Sequence, residues 1–375
     1  MDTIVIPVEF KENKGGVAQS TISLAQGLAN CGLFQVIILC PYNSEISKVS
    51  FQGNVHVITS KSSDWKISKK HFFSSLCTAW ELYLKLRKYL NNNTIFLSNH
   101  SGSSYMVSLL PILNKKEIYV NRGGTLSSNG FGDKLIRFKL RHNLFIHTIA
   151  ISSCQRDVLR SAGNKDENVT IIHNGLPLPN INYKFHVLNP SCLWISTMGY
   201  ISSTKNQHIG VELIKLLQDN GVDAKLNIYG TSCGEEVYEE ELQKKVEAYG
   251  LQEKVFYRGF VKGESLFQNS DIIISFSRSE GFGRSLVEGM LRKIPVIAFR
   301  GAGGPVDILN NGEYGYLVDK NEAEQYFEKI MYMLNLPEEN RINVEKSYSY
   351  ALNMFTETVM IHNYQSLLSN LFRNK

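Results

Sequence analysis

DIIISFSRSEGFGRSLVEGMLR (Asp271–Arg292) contains the patterns of a buried strand, a glycine turn and a helix, in that order. Asp271–Phe276 is apolar and strand-like, and Ser285–Arg292 has helical periodicity. In the turn between them, glycine lets backbone N–H groups approach a ligand, and the N-terminus of the helix that follows favours negative charge. Two glutamates, Glu280 and Glu288, bracket this turn. The unit therefore suits an anionic, hydroxyl-rich ligand such as a nucleotide sugar.

Strand and helix patterns alternate over the rest of the chain as well. The predicted strands are Thr3–Phe10, Phe34–Cys40, Val55–Thr59, Thr94–Ser98, Glu117–Asn121, Thr148–Ser152, Val169–Ile172, Leu193–Met198, Lys225–Tyr229, Val255–Tyr257, Asp271–Phe276, Pro295–Phe299 and Tyr316–Val318. The predicted helices are Val17–Cys31, His71–Leu90, Ser101–Leu113, Asp133–Phe145, Gln207–Leu217, Glu235–Tyr249, Glu264–Gln268, Ser285–Arg292, Glu322–Leu334 and Phe355–Phe372. Such alternation predicts an α/β protein with doubly wound parallel sheets that are covered on both faces.

The length of 375 residues is sufficient for two Rossmann-like domains, each with a full core. The proline-bearing segment Gly175–Ser191 has little periodicity, and we interpret it as the interdomain linker. The expected domains are residues 1–180 and 190–350, followed by a terminal helix in 351–375. Ligands of open α/β sheets bind at the carboxyl ends of the strands, so we expect the two domains to face a common cleft.

Charge is distributed unevenly along the chain, which has a net charge of +5. Residues 1–185 contain 21 Lys and Arg against 11 Asp and Glu, a balance of +10, and the remainder has a balance of −5. The first half is therefore expected to face something anionic, either nucleic acid or an anionic membrane surface. We reject nucleic acid because the basic residues follow no recognised reading motif and the glycine turns indicate a cleft.

Cysteine usage and hydropathy favour a cytoplasmic protein. The six cysteines are scattered without a CxxC pair, which argues against a zinc site and against a disulfide framework. No apolar run reaches the roughly 18–20 residues that span a bilayer. A strand pattern begins almost directly after Met1, so we expect no signal peptide. The chain has no Asp-x-Asp motif, which favours a mechanism without a metal or other cofactor.

Nine short motifs occur in an order that resembles one known family. They are Gly15–Val17 before an amphipathic helix, Asn121–Leu126, Ile149–Ser152, Val169–Gly175, Gly199 with Lys205 and Asn206, Ile228–Gly230, Val255–Gly259, Glu280 with Glu288, and Gly301–Pro305. In this order and spacing, the chain resembles a family 4 glycosyltransferase of the GT-B fold and of the bacterial surface-polysaccharide type. The resemblance runs nearly from end to end, and the family's Glu-x7-Glu signature marks retaining enzymes. It also implies that the terminal helix crosses back to the first domain.

The resemblance implies roles for the residues around the glycine turn. Glu288 would accept hydrogen bonds from the ribose hydroxyls of the donor, and a solvated helix glutamate is the alternative. Glu280 would contact hydroxyls of the donor sugar, whereas an N-terminal carboxylate that interacts only with the helix dipole is the alternative. The expected donor site also includes the residues between them: Gly281, Phe282, Gly283, Arg284 and Ser285.

A lysine-bearing loop is expected to hold the diphosphate. By resemblance, Lys205, which follows Gly199, would neutralise the departing nucleoside diphosphate, and an ordinary exposed loop lysine is the alternative. The family usually has an arginine directly after this glycine, but this chain has Tyr200 there. Arg284 is a candidate to replace the missing arginine.

The first domain supplies further candidates, each with a structural alternative. Gly15 and Gly16 would let the backbone approach phosphates or the acceptor, or would only form a tight turn. His100 resembles the histidine that contacts the donor sugar in family members, although a lone histidine is more often structural. Arg122 and Gly123 would hold the donor diphosphate or an acceptor anion, and a loop salt bridge is the alternative.

Asp133–Phe145 (DKLIRFKLRHNLF) mixes basic side chains with aromatic and aliphatic ones. Such a segment suits an anionic lipid surface, and an ordinary amphipathic helix of the first domain is the alternative. Contact with a membrane through this basic domain therefore stays open from the sequence.

By resemblance, the chain is expected to be a retaining transferase that moves a hexose-type sugar from a nucleotide-diphosphate donor to a glycan acceptor. Glu280, Lys205 and His100 are the expected catalytic residues, and the departing phosphate is the expected base. The acceptor would be lipid-linked, in O-antigen, lipopolysaccharide or capsule biosynthesis, at the inner face of the cytoplasmic membrane. The alternatives are another GT-B enzyme, such as a sugar-phosphate synthase or a nucleotide-sugar epimerase, and a non-catalytic nucleotide-sugar sensor, which Tyr200 would favour.

Overall fold

The computed structural model describes residues 1–9, 16–63, 65, 69–123, 126, 130–232 and 234–373. The chain divides into two compact units. The N-terminal domain consists of Met1–Gly175 together with Thr356–Lys375, and the C-terminal domain consists of Leu176–Phe355. In the described part of the chain, no helix is both long enough and apolar enough to cross a membrane.

The N-terminal domain is built on a seven-stranded parallel sheet with the order β3-β2-β1-β4-β5-β6-β7. Its strands are β1 (Asp2–Pro7), β2 (Phe34–Cys40), β3 (Val55–Thr59), β4 (Thr94–Ser98), β5 (Lys116–Asn121), β6 (His147–Ala150) and β7 (Val169–Ile171). Its helices are α1 (Gly16–Asn30), α2 (Phe72–Leu86), α3 (Ser101–Leu109), α4 (Phe131–Arg141), α5 (Ser153–Ser161) and the C-terminal helix Glu357–Arg373. The central strands β1, β2 and β4 are buried almost throughout, as expected of a parallel sheet with helices on both faces.

The C-terminal domain contains a six-stranded parallel sheet with the order β10-β9-β8-β11-β12-β13. Its strands are β8 (Leu193–Met198), β9 (Ala224–Tyr229), β10 (Val255–Gly259), β11 (Ile272–Ser275), β12 (Val296–Phe299) and β13 (Tyr316–Val318). Its helices are α6 (Gln207–Asp219), α7 (Glu236–Ala248), α8 (Arg284–Met290), α9 (Gly304–Ile308), α10 (Ala323–Asn335) and α11 (Pro337–Met354). The doubly wound α/β class predicted from strand and helix alternation is therefore confirmed in both domains.

Strand order places the loops that bear candidate residues. In each sheet the order reverses beside the first strand, because β1 lies between β2 and β4, and β8 lies between β9 and β11. Ligands of doubly wound sheets bind at the carboxyl ends of the strands that meet at such a switch point. The loops after β8 and β11 carry Lys205 and Glu280, and the loop after β4 carries His100.

The proline-bearing segment is not a free linker. The division between the domains falls after Gly175, and residues 176–191 belong to the C-terminal domain. Tyr183 donates a hydrogen bond to Glu264 (2.6 Å), and His186 bonds Asp271 (2.6 Å). These polar contacts hold an irregular segment against its domain, and hydrophobic periodicity carries no signal of them.

Several predicted elements differ from those observed. The predicted helix Glu264–Gln268 is only a 3-10 turn at Glu264–Leu266. Helices α5, α9 and α11 were not predicted. The buried face of α11 explains why, because it consists of small or polar residues rather than a row of large apolar ones: Asn340, Val344, Ser347 and Ala351. The terminal helix begins at Glu357 and belongs to the N-terminal domain.

Helix α4 has a mixed character. Lys139, one of the basic residues expected on its surface, is instead buried and paired with the buried carboxylate of Glu117. The Lys139 ammonium group also donates a hydrogen bond to Ser104 (2.9 Å). A buried charge is tolerated when an opposite charge and further hydrogen bonds compensate its lost hydration. Lys139 therefore joins α4 to β5 and α3, and the outer face of α4 is formed by other residues.

Gly230 offers a test of the tight packing beside β8. Its φ is +144°, and an added Cβ would lie 1.8 Å from the carbonyl oxygen of Gly199. We expect Gly230→Ala to lower the free energy of unfolding by at least about 2 kcal/mol, because strain and a backbone clash combine. Gly221→Ala is the matched control, since Gly221 also has a positive φ (+78°) but a Cβ added there would meet nothing within 4 Å. Equal urea midpoints for the two variants would contradict this account.

Candidate functional site

The loop after β8 is closely packed around Gly199. The Gly199 N–H donates to the carbonyl of Tyr229 (2.9 Å). Gly199 has a φ of +141°, in the left-handed region that favours glycine. An added Cβ at Gly199 would lie 3.2 Å from Cε of Lys205, so the lysine side chain passes directly over this glycine. Gly199 thus makes room for Lys205, which is a more specific role than a general flexible turn.

Asn206 fixes the backbone next to the lysine. It starts α6 from a left-handed conformation (φ 52°), which asparagine tolerates better than most residues. Its side-chain amide donates to the carbonyl of Phe276 at the end of β11 (3.2 Å). The N–H of Arg278 donates in turn to the carbonyl of Thr204 (2.8 Å). These two bonds join the lysine loop to the loop that leads to Glu280.

The glycine turn is held from its other side by the loop before α9. Glu280 donates its N–H to the carbonyl of Ala302 (2.8 Å) and accepts the N–H of Gly304 at its own carbonyl (2.9 Å). An added Cβ at Gly304 would lie 2.5 Å from the carbonyl oxygen of Phe282, so only glycine permits this approach. The backbone position of Glu280 is therefore fixed by neighbouring loops, and its side chain is free to be directed by charge.

Lys205 and Glu280 form an ion pair with 2.5 Å between Nζ and Oε2. Both side chains are partly exposed. The hydroxyl of Ser277 also donates to the same carboxylate oxygen (3.4 Å). One cation and one anion thus lie together at the carboxyl ends of two adjacent strands, where a bound ligand can contact both. This arrangement can neutralise a phosphate with one group and accept hydroxyl hydrogen bonds with the other.

Glu288 forms a second ion pair on α8. Arg284 Nε donates to its Oε1 (3.0 Å), and both side chains are partly exposed. A carboxylate can accept about four hydrogen bonds, so this arginine leaves Glu288 able to accept more. Tyr200, which stands where the family usually has an arginine, is exposed. Arg284, the candidate to replace that arginine, is paired with Glu288 four residues further along the same helix.

The remaining residues of the predicted donor site contribute mainly through the backbone. Phe282 is buried, at 4% exposure, and its ring packs edge-on against Phe355 with 5.8 Å between centroids. The Phe282 ring therefore anchors the turn in the core, and the backbone of Phe282 is the part that lies in the predicted donor site. Gly283 has φ +108° and starts α8, and Gly281 and Ser285 are half-buried on either side of it.

In the N-terminal domain, His100 follows β4 and immediately precedes α3. Burial, and then the nearby positive charge of Arg122, lower the pKa of His100 to about 4. Its imidazole is therefore neutral at physiological pH, and it presents one hydrogen-bond donor and one acceptor. A neutral imidazole suits contact with sugar hydroxyls and does not act as a proton donor near pH 7.

Arg122 is a buried cation whose partners are neutral. Its guanidinium donates to Asn99 (2.9 Å), Ser20 (2.6 Å) and Asn174 (2.7 Å), and it is 6% exposed. Burial lowers its pKa. Among the described residues, Nη2 has no hydrogen-bond partner. The loop salt bridge considered as an alternative is not present in this part of the chain; Arg122 instead holds the residue before His100.

The three glycines of this group are placed differently. Gly123 follows Arg122 with φ +145°, and no atom of the described residues lies within 4 Å of the position that a Cβ would occupy. Gly16 is the exposed first residue of α1. Gly15 lies outside the described residues.

Sequence reasoning did not identify the residues that support the charged ones. Ser277, Asn99 and Ser20 each bond a candidate residue, as described above. Small polar residues near strand ends or on helices are common, so nothing distinguishes these three in one sequence. Asn206 and Asn174 had a signal, because they lie in the motifs of Gly199 with Lys205 and of Val169–Gly175.

Comparisons with known proteins agree with this geometry. The family described as Glycosyl transferases group 1 matches residues 188–349, which include Lys205, Glu280 and Glu288. The chain is similar to the poly(ribitol-phosphate) alpha-N-acetylglucosaminyltransferase of Staphylococcus aureus, with 26% identity over 226 residues, covering 58% of this chain and 43% of that protein. It is also similar to the capsular polysaccharide biosynthesis glycosyltransferase CapM of Staphylococcus aureus, with 25% identity, covering 58% of this chain and 60% of that protein. The chain thus spans less than two thirds of either relative.

Among solved structures, Anabaena Alr3699/HepE in complex with UDP and glucose matches with a TM-score of 0.78 and 18% identity. The match covers 98% of this chain and 100% of that chain, so the fold is shared over both domains. Two parallel-sheet domains with these neighbours confirm the GT-B fold. Residues 188–349 therefore match the family described as Glycosyl transferases group 1, and the chain shares the GT-B fold of the structure to which it is similar.

Proposed function

We propose that the protein is a retaining glycosyltransferase that moves a hexose-type sugar from a nucleotide-diphosphate donor to a lipid-linked glycan. The observation that supports this most strongly is the ion pair of Lys205 and Glu280 at the switch point of the C-terminal sheet. The group 1 match includes both residues. Relatives named for poly(ribitol-phosphate) and for capsular polysaccharide biosynthesis support a role in surface-polysaccharide assembly.

Lys205 is proposed to bind the donor diphosphate. Negative charge builds on the leaving nucleoside diphosphate as the glycosidic bond to phosphate breaks, and a fixed cation lowers that barrier. In the described structure Glu280 holds the ammonium group in place, and Gly199 lets the lysine stem pass. A bound phosphate would compete with Glu280 for the lysine, which frees carboxylate oxygens for the sugar.

Glu280 and Glu288 are proposed to bind hydroxyls at the two ends of the donor. Glu280 would accept hydrogen bonds from the donor sugar and offset the positive charge that develops at the anomeric carbon. Glu288 would accept hydrogen bonds from the ribose hydroxyls while Arg284 orients its carboxylate. Gly281 and Gly283 would offer backbone N–H groups, with Phe282 as the buried anchor of the turn.

His100 is proposed to contact the donor sugar as a neutral imidazole. The proton of the acceptor hydroxyl would pass to the departing phosphate oxygen, on the same face of the sugar from which the phosphate leaves. Such front-face attack retains the anomeric configuration and needs no protein base. The lowered pKa of His100 supports this division of roles, because a histidine that stays neutral holds substrate and does not exchange a proton at neutral pH.

The acceptor is proposed to be a lipid-linked glycan at the inner face of the cytoplasmic membrane, as in O-antigen, lipopolysaccharide or capsule biosynthesis. The +10 charge of residues 1–185 supports an acceptor presented at an anionic surface. The nucleotide base and the transferred sugar are to be found by a screen of UDP-, GDP-, ADP- and dTDP-sugars by thermal shift.

Substitutions at the ion pair test the proposed function. With the donor that the screen selects, Glu280→Gln is expected to lower kcat by about 100-fold or more, because a transition-state contact is lost. Lys205→Ala should lower kcat by a similar factor, and Lys215→Ala, an exposed lysine of the same domain, should leave it unchanged. Product formation measures all three. A sensor would give no product with any variant or with the parent, and full activity of Glu280→Gln would refute the catalytic assignment.

Glu288→Gln separates binding from chemistry. We expect this substitution to raise the Kd for the free nucleoside diphosphate by roughly tenfold, since ribose contacts are made with or without the sugar. Glu280→Gln should leave that Kd unchanged or lower it, because Glu280 is proposed to contact only the sugar and the variant no longer competes with the phosphate for Lys205. Calorimetric titration with the nucleoside diphosphate measures both, and the reverse order of effects would overturn the two assignments.

Transfer is proposed to need no metal, because Lys205 supplies the positive charge that a divalent ion supplies elsewhere. We expect activity of the parent to be unchanged, within about twofold, after exhaustive treatment with EDTA. Loss of activity on chelation and recovery with Mg²⁺ or Mn²⁺ would contradict the assignment.

Histidine protonation gives a pH test. The folded pKa of His100, about 4, lies below the usual value of about 6.5, so between these pH values the unfolded chain binds a proton that the folded chain does not. Stability therefore falls as the pH is lowered through this range. His100→Asn should lose part of this dependence, so its urea midpoint should fall less between pH 7 and pH 5 than that of the parent. His142→Asn, at an exposed histidine, should follow the parent, and parallel curves for all three would refute the shift.

A further inference from the structure

Helix α2 carries a row of apolar side chains that the fold does not bury. The row consists of Phe73, Cys77, Trp80 and Leu84, which we call the apolar stripe. Positions i, i+4, i+7 and i+11 lie on one face of a helix. Phe73 is 81% exposed, Trp80 56% and Leu84 45%, and Cys77 is exposed as well. The opposite face of α2, at Ser75, Ala79, Leu82 and Leu86, is buried.

The core of the domain does not need the stripe. Ala79, Leu82 and Leu86 already pack with residues of β1, β2 and β4 in one hydrophobic cluster. Single exposed apolar residues are common, but a contiguous row of large ones on one helix marks an interaction surface. Trp80 also lies beside Tyr83, with 5.8 Å between ring centroids.

Basic residues flank the stripe at both ends of the helix. Residues 69–89 contain five Lys and Arg and a single acidic residue, Glu81. Glu81 is neutralised by Lys85, with 2.7 Å between their charged atoms. Lys70 lies before the helix, and Arg87 and Lys88 follow it, all three exposed. The surface around the stripe is therefore positive.

Helix α4 continues this surface on the same side of the sheet. α3 packs against both α2 and α4, and the three helices connect successive strands that run in one direction across the sheet. On α4 the exposed residues alternate between aromatic and basic: Phe131, Lys134, Phe138 and Arg141. We call the outer side chains of these two helices the α2–α4 face.

We propose that the α2–α4 face lies on an anionic phospholipid bilayer, with the apolar stripe inserted at the boundary of headgroups and acyl chains. Aromatic side chains that enter this boundary, together with basic side chains that bind anionic headgroups, supply the two signals needed for stable attachment. A second copy of the chain is the less suitable occupant. A twofold interface would bring the same basic residues of both copies together, with little acidic charge to offset them.

The proposal goes beyond the transfer reaction and stands or falls independently of it. It gives a chemical reason for a lipid-linked acceptor, because an enzyme on the bilayer meets such an acceptor in two dimensions. It also adds α2 to the basic helix α4, which sequence reasoning had considered for this role.

Trp80 supplies a direct probe of insertion. The chain has three tryptophans, and of these Trp65 is buried at 4% exposure, so Trp194→Phe leaves Trp80 as the exposed one. In this variant, vesicles of phosphatidylglycerol with brominated acyl chains should quench the tryptophan emission and shift it to shorter wavelength. Brominated phosphatidylcholine vesicles should quench much less, and raised salt should weaken the effect. Emission that stays unchanged with the anionic vesicles would overturn the proposal.

A double variant tests the stripe itself. Phe73→Ser with Trp80→Ser should lower the partition onto phosphatidylglycerol vesicles by at least about tenfold. Phe260→Ser is the matched control, since Phe260 is an exposed aromatic residue of the C-terminal domain, at 50% exposure, and should leave partition unchanged. Both substitutions replace exposed side chains, and an unchanged circular dichroism spectrum and urea midpoint of the full chain show that the N-terminal domain, which carries the stripe, stays folded.

Two results would count against the proposal. Equal partition of the double variant and the parent would show that the stripe does not contact lipid. A concentration-dependent dimer in sedimentation velocity that the double variant abolishes, with no vesicle binding by the parent, would assign the stripe to a second copy. If the parent binds vesicles but has no transfer activity, the proposed function is refuted and the assignment of the α2–α4 face to the membrane is retained.

Discussion

The ion pair between Lys205 and Glu280 depends on the parallel pairing of β8 with β11. These strands are adjacent in space although two strand–helix units separate them in sequence. Their carboxyl ends bring two distant loops together, and the bonds from Arg278 N–H to the Thr204 carbonyl and from the Asn206 amide to the Phe276 carbonyl join those loops. If this pairing shifted by one residue, the ion pair between the lysine and the carboxylate would be broken, although every local motif would still be present.

In the N-terminal domain, the ends of two neighbouring strands are joined by hydrogen bonds from a buried cation to neutral groups and not by an ion pair. β4 and β5 are also neighbours, and Arg122 at the end of β5 bonds Asn99 at the end of β4. No described carboxylate neutralises this buried guanidinium, and its charge is spread over amide and hydroxyl oxygens instead. Burial, and then this positive charge, lower the pKa of His100 and keep its imidazole neutral. The two domains therefore present chemically different groups, a charged pair in one and an uncharged ring in the other.

Much of the fold could be predicted from the sequence because strands with buried faces have clear apolar runs. The strand patterns at Phe34–Cys40, Thr94–Ser98 and Leu193–Met198 match the observed bounds. Helix α11 was not predicted because its inward residues are small or polar. The position of the irregular segment 176–191 was not predicted because single polar contacts hold it against its domain. Hydrophobic periodicity reports burial of apolar surface, and it is silent where burial is achieved by other means.

The candidate site shows the same limit. Glycine turns after strands pointed to the loops that carry Lys205 and Glu280, but the direction of side chains depends on contacts between distant segments. Phe282 lies within the most informative motif and still faces the core. Lys139 was grouped with surface cations and is buried against Glu117, 22 residues away in sequence. A linear pattern identifies which segment matters, whereas tertiary partners decide what each side chain in it does.

The N-terminal domain takes its last helix from the far end of the chain, because Thr356–Lys375 packs with Met1–Gly175. Residues 176–355 are therefore synthesised before the helix that completes the N-terminal domain. The packing of α1 requires the C-terminal helix, which is synthesised some 330 residues later. That helix contributes Met360 and Tyr364 to the buried interior. The domain that is translated first therefore completes its fold last. Substitutions in residues 356–373 would destabilise the N-terminal domain.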